Sequence, residues 1–316
     1  MKRKVKNILN FTVLAGLLAI TSCQTDKKQD ATSAIKTAEH LTIKHSMGTT
    51  EVVKNPQNVI ALDLASVEIL EALGVKIIAM PKTGLPSHLE SYQKDNSVVD
   101  LGTLKEVDYE RLNELNPDVI FISGRLQNDY AEISKIAPTF YTEIDYKDYM
   151  ASLKDNLEIF GSVFDKRSQT DQILKDIQDK ITEVNIKTKD LDKNALIVLH
   201  NKGRFSAYGK GSRFGMIHDV LGIKEAVENL EATRHGQSVS NEFIQQANPD
   251  YLFIIDRTAV VDKEATNKKA IENRLIQQTS AYKNGKIIYL DPEIWYLSGG
   301  GIVSIHKMID EISKNL

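Results

Sequence analysis

Cysteine occurs once in 316 residues, tryptophan once and proline seven times. The single cysteine, Cys23, has no partner in the chain, which excludes an internal disulfide. The seven histidines form no HxH or HExxH pair, so their spacing offers no preformed zinc or manganese site. An excess of positive charge is missing too. The formal net charge is −3, which leaves no electrostatic footprint for nucleic acid. Nucleophile motifs are also wanting: there is no GxSxG, and Ser298 precedes three glycines without a motif around it. The glycine-rich stretch at Gly209, Gly211 and Gly215 places three residues between its last two glycines, so it is not GxGxxG. No P-loop Lys-Ser/Thr follows it, which disfavours a nucleotide. These absences favour binding over catalysis.

What is present begins at the N-terminus. Lys2, Arg3, Lys4 and Lys6 form a basic n-region, followed by an apolar stretch from Ile8 to Ile20, short for a bilayer span. It ends in Ile20, Thr21, Ser22 and Cys23, a sequence that resembles a bacterial lipobox. We therefore expect a lipoprotein signal peptide over 1–22 and lipidation of Cys23. Residues 23–39 are polar, lack aromatics and read as a flexible tether. No other membrane-length apolar run follows. The expectation is an exported domain anchored to a membrane by lipid, facing the periplasm or the outside of the cytoplasmic membrane.

The most informative feature is a segment that occurs twice. Glu110 to Arg125 and Glu242 to Arg257 share seven of sixteen positions: the opening Glu, Asn-Pro-Asp, Phe-Ile and the closing Arg. Each copy predicts a short helix stopped by Pro117 or Pro249, then an apolar strand, then a cation at the strand's carboxyl end. Ligands of open parallel sheets bind at that end. Two such units imply two similar lobes, each offering an arginine to one cleft and a glutamate elsewhere.

Around this repeat the chain reads as α/β: two Rossmann-like lobes with parallel sheets, joined by a single long backbone helix, with the ligand cleft between them. The expected boundaries are an N-terminal lobe over 40–148, a linking helical region over 149–190 and a C-terminal lobe over 191–316. LTIKH and TEVVK flank Met47 and Gly48 as a hairpin, and Ser66 is expected to cap the next helix. From Tyr149 to about Lys187 only Gly161 interrupts a helical pattern. Ile173, Ile177, Ile181 and Val184 recur there at helical spacing. Strands are expected in NALIVLHN and KIIYLDP, and a terminal helix in IVSIHKMIDEISKNL.

Arg125 and Arg257 follow equivalent strands, and Arg213 precedes a predicted helix in the second lobe, where a helix N-terminus also suits an anion. Taken alone, Arg213 reads as a solvated surface residue. Taken together, the three guanidiniums need a multiply anionic ligand. Like charges about 6 Å apart at an effective dielectric near 20 repel by roughly 3 kcal/mol per pair. His235 lies in a polar loop, where a histidine is more often solvated than a ligand. Tyr296 lies between Pro292 and Gly299, again at the ligand edge of a sheet, beside the core candidate Trp295.

GSRFGMIHDVLG, RHGQSVSNEFI and IWYLSGGG together resemble the ferric-siderophore binding lipoproteins of ABC importers, above all those for catecholates. The similarity covers about residues 40 to 316. In that family a backbone helix joins two α/β lobes. The resemblance implies that Arg125, Arg213 and Arg257 bind catecholate oxygens. It implies that His235 and Tyr296 ligate iron when a tetradentate siderophore leaves two sites open. It also implies that Glu110 and Glu242 dock on the arginines of a permease dimer in the cytoplasmic membrane. The expected activity is capture and delivery of a ferric (Fe3+) siderophore complex by a monomer, with no intrinsic cofactor and no enzymatic step. A haem or cobalamin binder of the same fold and a cell-surface siderophore hydrolase are the alternatives.

Overall fold

The repeated Asn-Pro-Asp does the same three jobs in both copies of the computed structural model, which describes residues 39–316. Asn116 and Asn248 adopt left-handed backbone (φ 45° and 42°), a conformation asparagine tolerates, and so end the helices Tyr109–Glu114 and Asn241–Ala247. The prolines then prevent the helices from continuing. The aspartates tie in the start of the neighbouring strand. Asp118 Oδ2 accepts from the backbone N–H groups of Gln57 and Asn58, each at 2.8 Å, and Asp250 Oδ2 accepts from Asn194 N–H at 3.1 Å.

The chain opens with the predicted hairpin, β1 (His40–His45) antiparallel to β2 (Gly48–Val53). The first lobe's sheet follows: β3 (Val59–Ala61), β4 (Ala79–Met80), β5 (Val99–Asp100), β6 (Val119–Ile122) and β7 (Thr139–Tyr141). All its pairings are parallel, in the order β5-β4-β3-β6-β7. The second lobe holds β8 (Asn194–Asn201), β9 (Arg204–Tyr208), β10 (Lys224–Glu225), β11 (Gln237–Val239), β12 (Tyr251–Asp256) and β13 (Ile287–Leu290). Its order is β11-β9-β8-β12-β13, with β10 alongside the start of β8. This sheet is mixed. β8, β12, β13 and β10 are parallel, whereas β9 and β11 run antiparallel. The expectation of two parallel sheets is thus corrected at one edge: the chain turns back at Lys202 and Gly203 (φ 51° and 80°) to form β9.

Two further expectations are revised. Asp63, not Ser66, caps the helix Leu64–Ala72: its carboxylate accepts from Ser66 N–H at 2.9 Å and from the Ser66 hydroxyl at 2.6 Å. The linking region is two helices, Tyr149–Val163 and Arg167–Thr188. Asp165 breaks them in left-handed backbone (φ 55°), and the Lys166 N–H bonds back to the Gly161 carbonyl at 2.8 Å. Gly161 is needed where the two helices touch, since a Cβ there would meet Thr170 Oγ1 at 2.5 Å. The spine proper is the 22-residue second helix, and it buries the predicted stripe of Ile177, Ile181 and Val184. The helix Tyr149–Val163 belongs to the first lobe's core, with Phe160 stacked on Phe121 at 4.4 Å.

The C-terminal helix Ile302–Asn315 packs against the spine and Leu64–Ala72. There Glu68, fully buried, accepts from Ser304 N–H (2.8 Å) and the Ser304 hydroxyl (2.6 Å) and bonds His88 at 2.8 Å. No helix among the described residues is long and apolar enough to cross a membrane. Cys23, the signal segment over 1–22 and all of the tether before Glu39 lie outside the described residues.

Candidate functional site: an arginine cleft around Tyr296

Arg257 follows β12 directly and Arg125 stands three residues beyond β6, both at the carboxyl edge of their sheets. Arg213 lies in the loop after β9. The predicted helix behind Arg213 is a single turn, Met216–Asp219, too short for a useful dipole. Arg213 therefore contributes through its guanidinium alone.

All three arginines meet at Tyr296, which sits in a π-helical turn, Glu293–Ser298. Arg125 donates to the carbonyls of Tyr296 (3.0 Å) and Leu297 (3.2 Å), and Arg213 donates to the Tyr296 carbonyl at 2.6 Å. The Arg213 guanidinium also lies 4.4 Å from the centre of the Tyr296 ring, a cation–π contact. Arg257 Nε donates to the Tyr296 hydroxyl at 2.9 Å, and its Nη1 donates to Asn201 Oδ1 at 3.0 Å.

The charges have opposite effects on the two kinds of group. Burial, and then the positive charge of Arg213, pushes Arg125 below the usual arginine range. Burial by itself raises the Tyr296 phenol, but the Arg257 hydrogen bond and the charges of Arg257, Arg213 and Arg125 outweigh it and hold the phenol below its ordinary value. A phenol shifted that way is better suited to act as an anionic ligand to a hard cation.

Arg125, Arg213, Arg257, His235 and Tyr296 all line one cavity of about 400 Å³, with the exposed His235 on the loop before β11. Every residue the sequence assigned to the ligand is therefore brought together. Glu110 and Glu242 are elsewhere, exposed in the first turns of their helices. Among the described residues no group of three or more His, Cys, Asp or Glu could hold a metal ion. A metal in this cleft would have to arrive with most of its ligands already bound. A larger cavity of about 1050 Å³ lies between the hairpin and Tyr149–Val163, but it is lined by Asp145, Asp148, Asp155 and Glu158, the wrong charge for an anion.

Three further residues of the cleft, Asn201, Glu143 and Arg234, are not among those the sequence singled out. Asn201, which orients Arg257, is paired in register next to His200 and Asp256 at the ends of β8 and β12. Glu143 follows β7 and accepts from Gly124 N–H (2.5 Å) and the Tyr146 hydroxyl (2.9 Å). The reasoning that selected the arginines, position at a strand's carboxyl end, applied equally to Glu143. Arg234 borders the same cavity. It is the immediate neighbour of His235 and was legible by adjacency.

A cleft between two α/β lobes, lined by cations from both sides, defines a bilobed binding protein. The periplasmic binding protein family model matches residues 59–294, and the chain belongs to that family. Among its relatives is the petrobactin-binding protein YclQ of Bacillus subtilis, 40% identical over 98% of this chain and 99% of YclQ. The YclQ crystal structure superposes with a TM-score of 0.85, covering 88% of this chain and 98% of that one. The ferric-anguibactin-binding protein FatB of Vibrio anguillarum is 36% identical over 99% of both chains. The periplasmic catecholate-siderophore binding protein VctP of Vibrio cholerae is 29% identical with a TM-score of 0.83, covering 87% of this chain and all of VctP.

Proposed function

We propose that this chain is the substrate-binding component of an ABC importer that captures an anionic ferric catecholate siderophore. The observation that carries the reading is the convergence of Arg125, Arg213 and Arg257, from both lobes, on Tyr296 in one cavity. Such a cluster selects for oxygen-rich polyanions, because planar forked donors match pairs of anionic oxygens and the mutual repulsion is relieved only by negative charge. The neighbouring relatives are named for siderophores, which supports the same cargo class. On this reading iron is cargo, and His235 and Tyr296 complete its coordination when the chelator supplies four oxygens. Lipidated Cys23 would hold the protein outside the cytoplasmic membrane, and Glu110 and Glu242 would present the loaded monomer to a permease dimer. The protein itself would do no chemistry on the cargo.

Trp295 is buried next to Tyr296 and reports on the site. Its fluorescence should be quenched by a ferric tris-catecholate and far less by a neutral ferric hydroxamate at equal concentration. Equal affinity for the two chelates would defeat the charge argument. Recovery of cleaved catecholate after incubation would instead make the protein a hydrolase.

A further inference from the structure

A fourth arginine stands at the cleft with a carboxylate from the opposite lobe. Arg234, on the loop before β11, places Nη2 3.6 Å from Glu143 Oε1, beyond β7 of the first lobe. Their side chains are 34% and 18% exposed, so the pair is partly solvated and at hydrogen-bonding range too long to be strong. Glu143 does not depend on it, because the Gly124 amide and the Tyr146 hydroxyl already hold the carboxylate in place. The chain makes room for the arginine: a Cβ on Gly124 would stand 2.2 Å from Arg234 Nη1 and 2.7 Å from Glu143 Oε2. That glycine is not in the left-handed region, so the backbone does not require it, and a side chain there would displace the ends of Arg234 and Glu143. Arg234 also borders the small cavity lined by Arg125, Arg213 and Tyr296, within reach of whatever those arginines hold.

We infer that Arg234 is a further anion-reading residue held in reserve by Glu143, and that Glu143 sets how much negative charge the cleft accepts. This rests on the anionic-chelate reading above. Cargo oxygens and the Glu143 carboxylate compete for one guanidinium, so binding exchanges one anion for another at Arg234. Glu143, fixed by Gly124 and Tyr146, remains beside the cargo as a negative charge. Its repulsion grows with the charge of the ligand, penalising a trianion more than a monoanion.

The test is a titration of wild type, Glu143→Gln, Arg234→Gln and the double variant with two chelates. One is a trianionic ferric tris-catecholate, the other a monoanionic ferric bis-catecholate. Glu143→Gln should tighten the trianion about tenfold and the monoanion about threefold or less. Arg234→Gln should weaken the trianion about tenfold. In the Arg234→Gln background the gain from Glu143→Gln should shrink to about threefold, because the two residues act through each other. Arg234 is half-exposed on a loop, so its variant keeps the test open if Glu143→Gln folds poorly. Unchanged affinity in Arg234→Gln, or equal shifts for both chelates in Glu143→Gln, overturns the inference while leaving the functional reading intact. Failure of wild type to bind either chelate overturns both.

Discussion

The two copies of the internal repeat end in the same residue but use it differently. In the second copy Arg257 stays within its own lobe, bonded to Asn201 and the Tyr296 hydroxyl. In the first copy Arg125 crosses the cleft and donates to the carbonyls of Tyr296 and Leu297 in the other lobe. The residue before each arginine accounts for part of the difference. Asp256 bonds His200 at 2.9 Å and caps the helix Arg257–Val261, which fixes Arg257 at a helix start. Gly124 has no side chain to cap anything, and Arg125 continues in a loop with Arg234 lying over the glycine. One scaffold thus yields an arginine that organises the tyrosine and another that ties the lobes together.

The positions the copies share should matter most when changed together. Glu110 and Glu242 are identical in type, exposed and placed in equivalent first turns. Replacing both with Ala should abolish siderophore-dependent uptake in cells while leaving the dissociation constant of the purified protein unchanged. A matching loss of affinity would show that these glutamates serve the cleft, not the transporter.

Next in size are the arginines. Alanine at Arg125, Arg213 or Arg257 should each weaken a ferric catecholate by about 1–3 kcal/mol, the range for a charge-assisted hydrogen bond. The copies should then diverge in a second measurement. Arg257 is the arginine that most strongly lowers the Tyr296 phenol, and Arg125 contributes less. Arg257→Ala should therefore move the onset of any iron–phenolate absorption band to higher pH, whereas Arg125→Ala should shift it little. Tyr296→Phe should remove that band and weaken a ferric bis-catecholate more than a tris-catecholate, whose iron is already saturated. An unchanged band would make Tyr296 a packing residue.

Much of this arrangement was readable in the chain, for a physical reason. Strand identity, the helix-ending Asn-Pro and the cation after each strand are local properties, and a repeat states them twice. The spine was visible as the 3.6-residue stripe from Ile173 to Val184, but its start was not. The break at Asp165 depends on a left-handed backbone that aspartate permits without requiring. Strand β9 was hidden because Arg204–Tyr208 gains its ladder from β8, a partner whose register the glycines around it obscure. In the cleft, Arg125 and Arg257 were legible because each follows the carboxyl end of a strand, whereas Arg213 was chosen only in their company. Glu143 and Asn201 also stand at strand ends, but what each does there depends on a partner from another segment: Gly124 for one, Arg257 for the other.

The aspartates of the repeat allow a smaller test in stability. Asp118 accepts two strand-initiating amides and Asp250 accepts one, supplemented by a Lys193 ion pair at 3.1 Å. Asp118→Ala should cost about 1–2 kcal/mol and Asp250→Ala about 1 kcal/mol or less in denaturant unfolding. The reverse order would mean that the ion pair, not the amides, holds the strand.

A last contrast separates the two buried capping carboxylates, Asp63 and Asp256. Asp256 has the His200 imidazole as a partner. Asp63 has only the Ser66 amide and hydroxyl, with no cation bonded to it. Burial raises the Asp63 pKa from 3.8 to about 6, against the lowering effect of those hydrogen bonds. With the folded value above the unfolded one, the native state holds this proton more tightly. The associated stability is fully present below about pH 3.8 and is lost as the pH rises through about 6. Asp63→Asn keeps an oxygen for the Ser66 amide and carries no charge at any pH in that range. Thermal melts of wild type and Asp63→Asn between pH 4 and 7 should therefore diverge, wild type losing ground as the pH rises and the difference levelling off above about pH 6.5. Other titrating groups cancel in that difference, so a gap that does not change with pH would show that Asp63 is already ionised throughout.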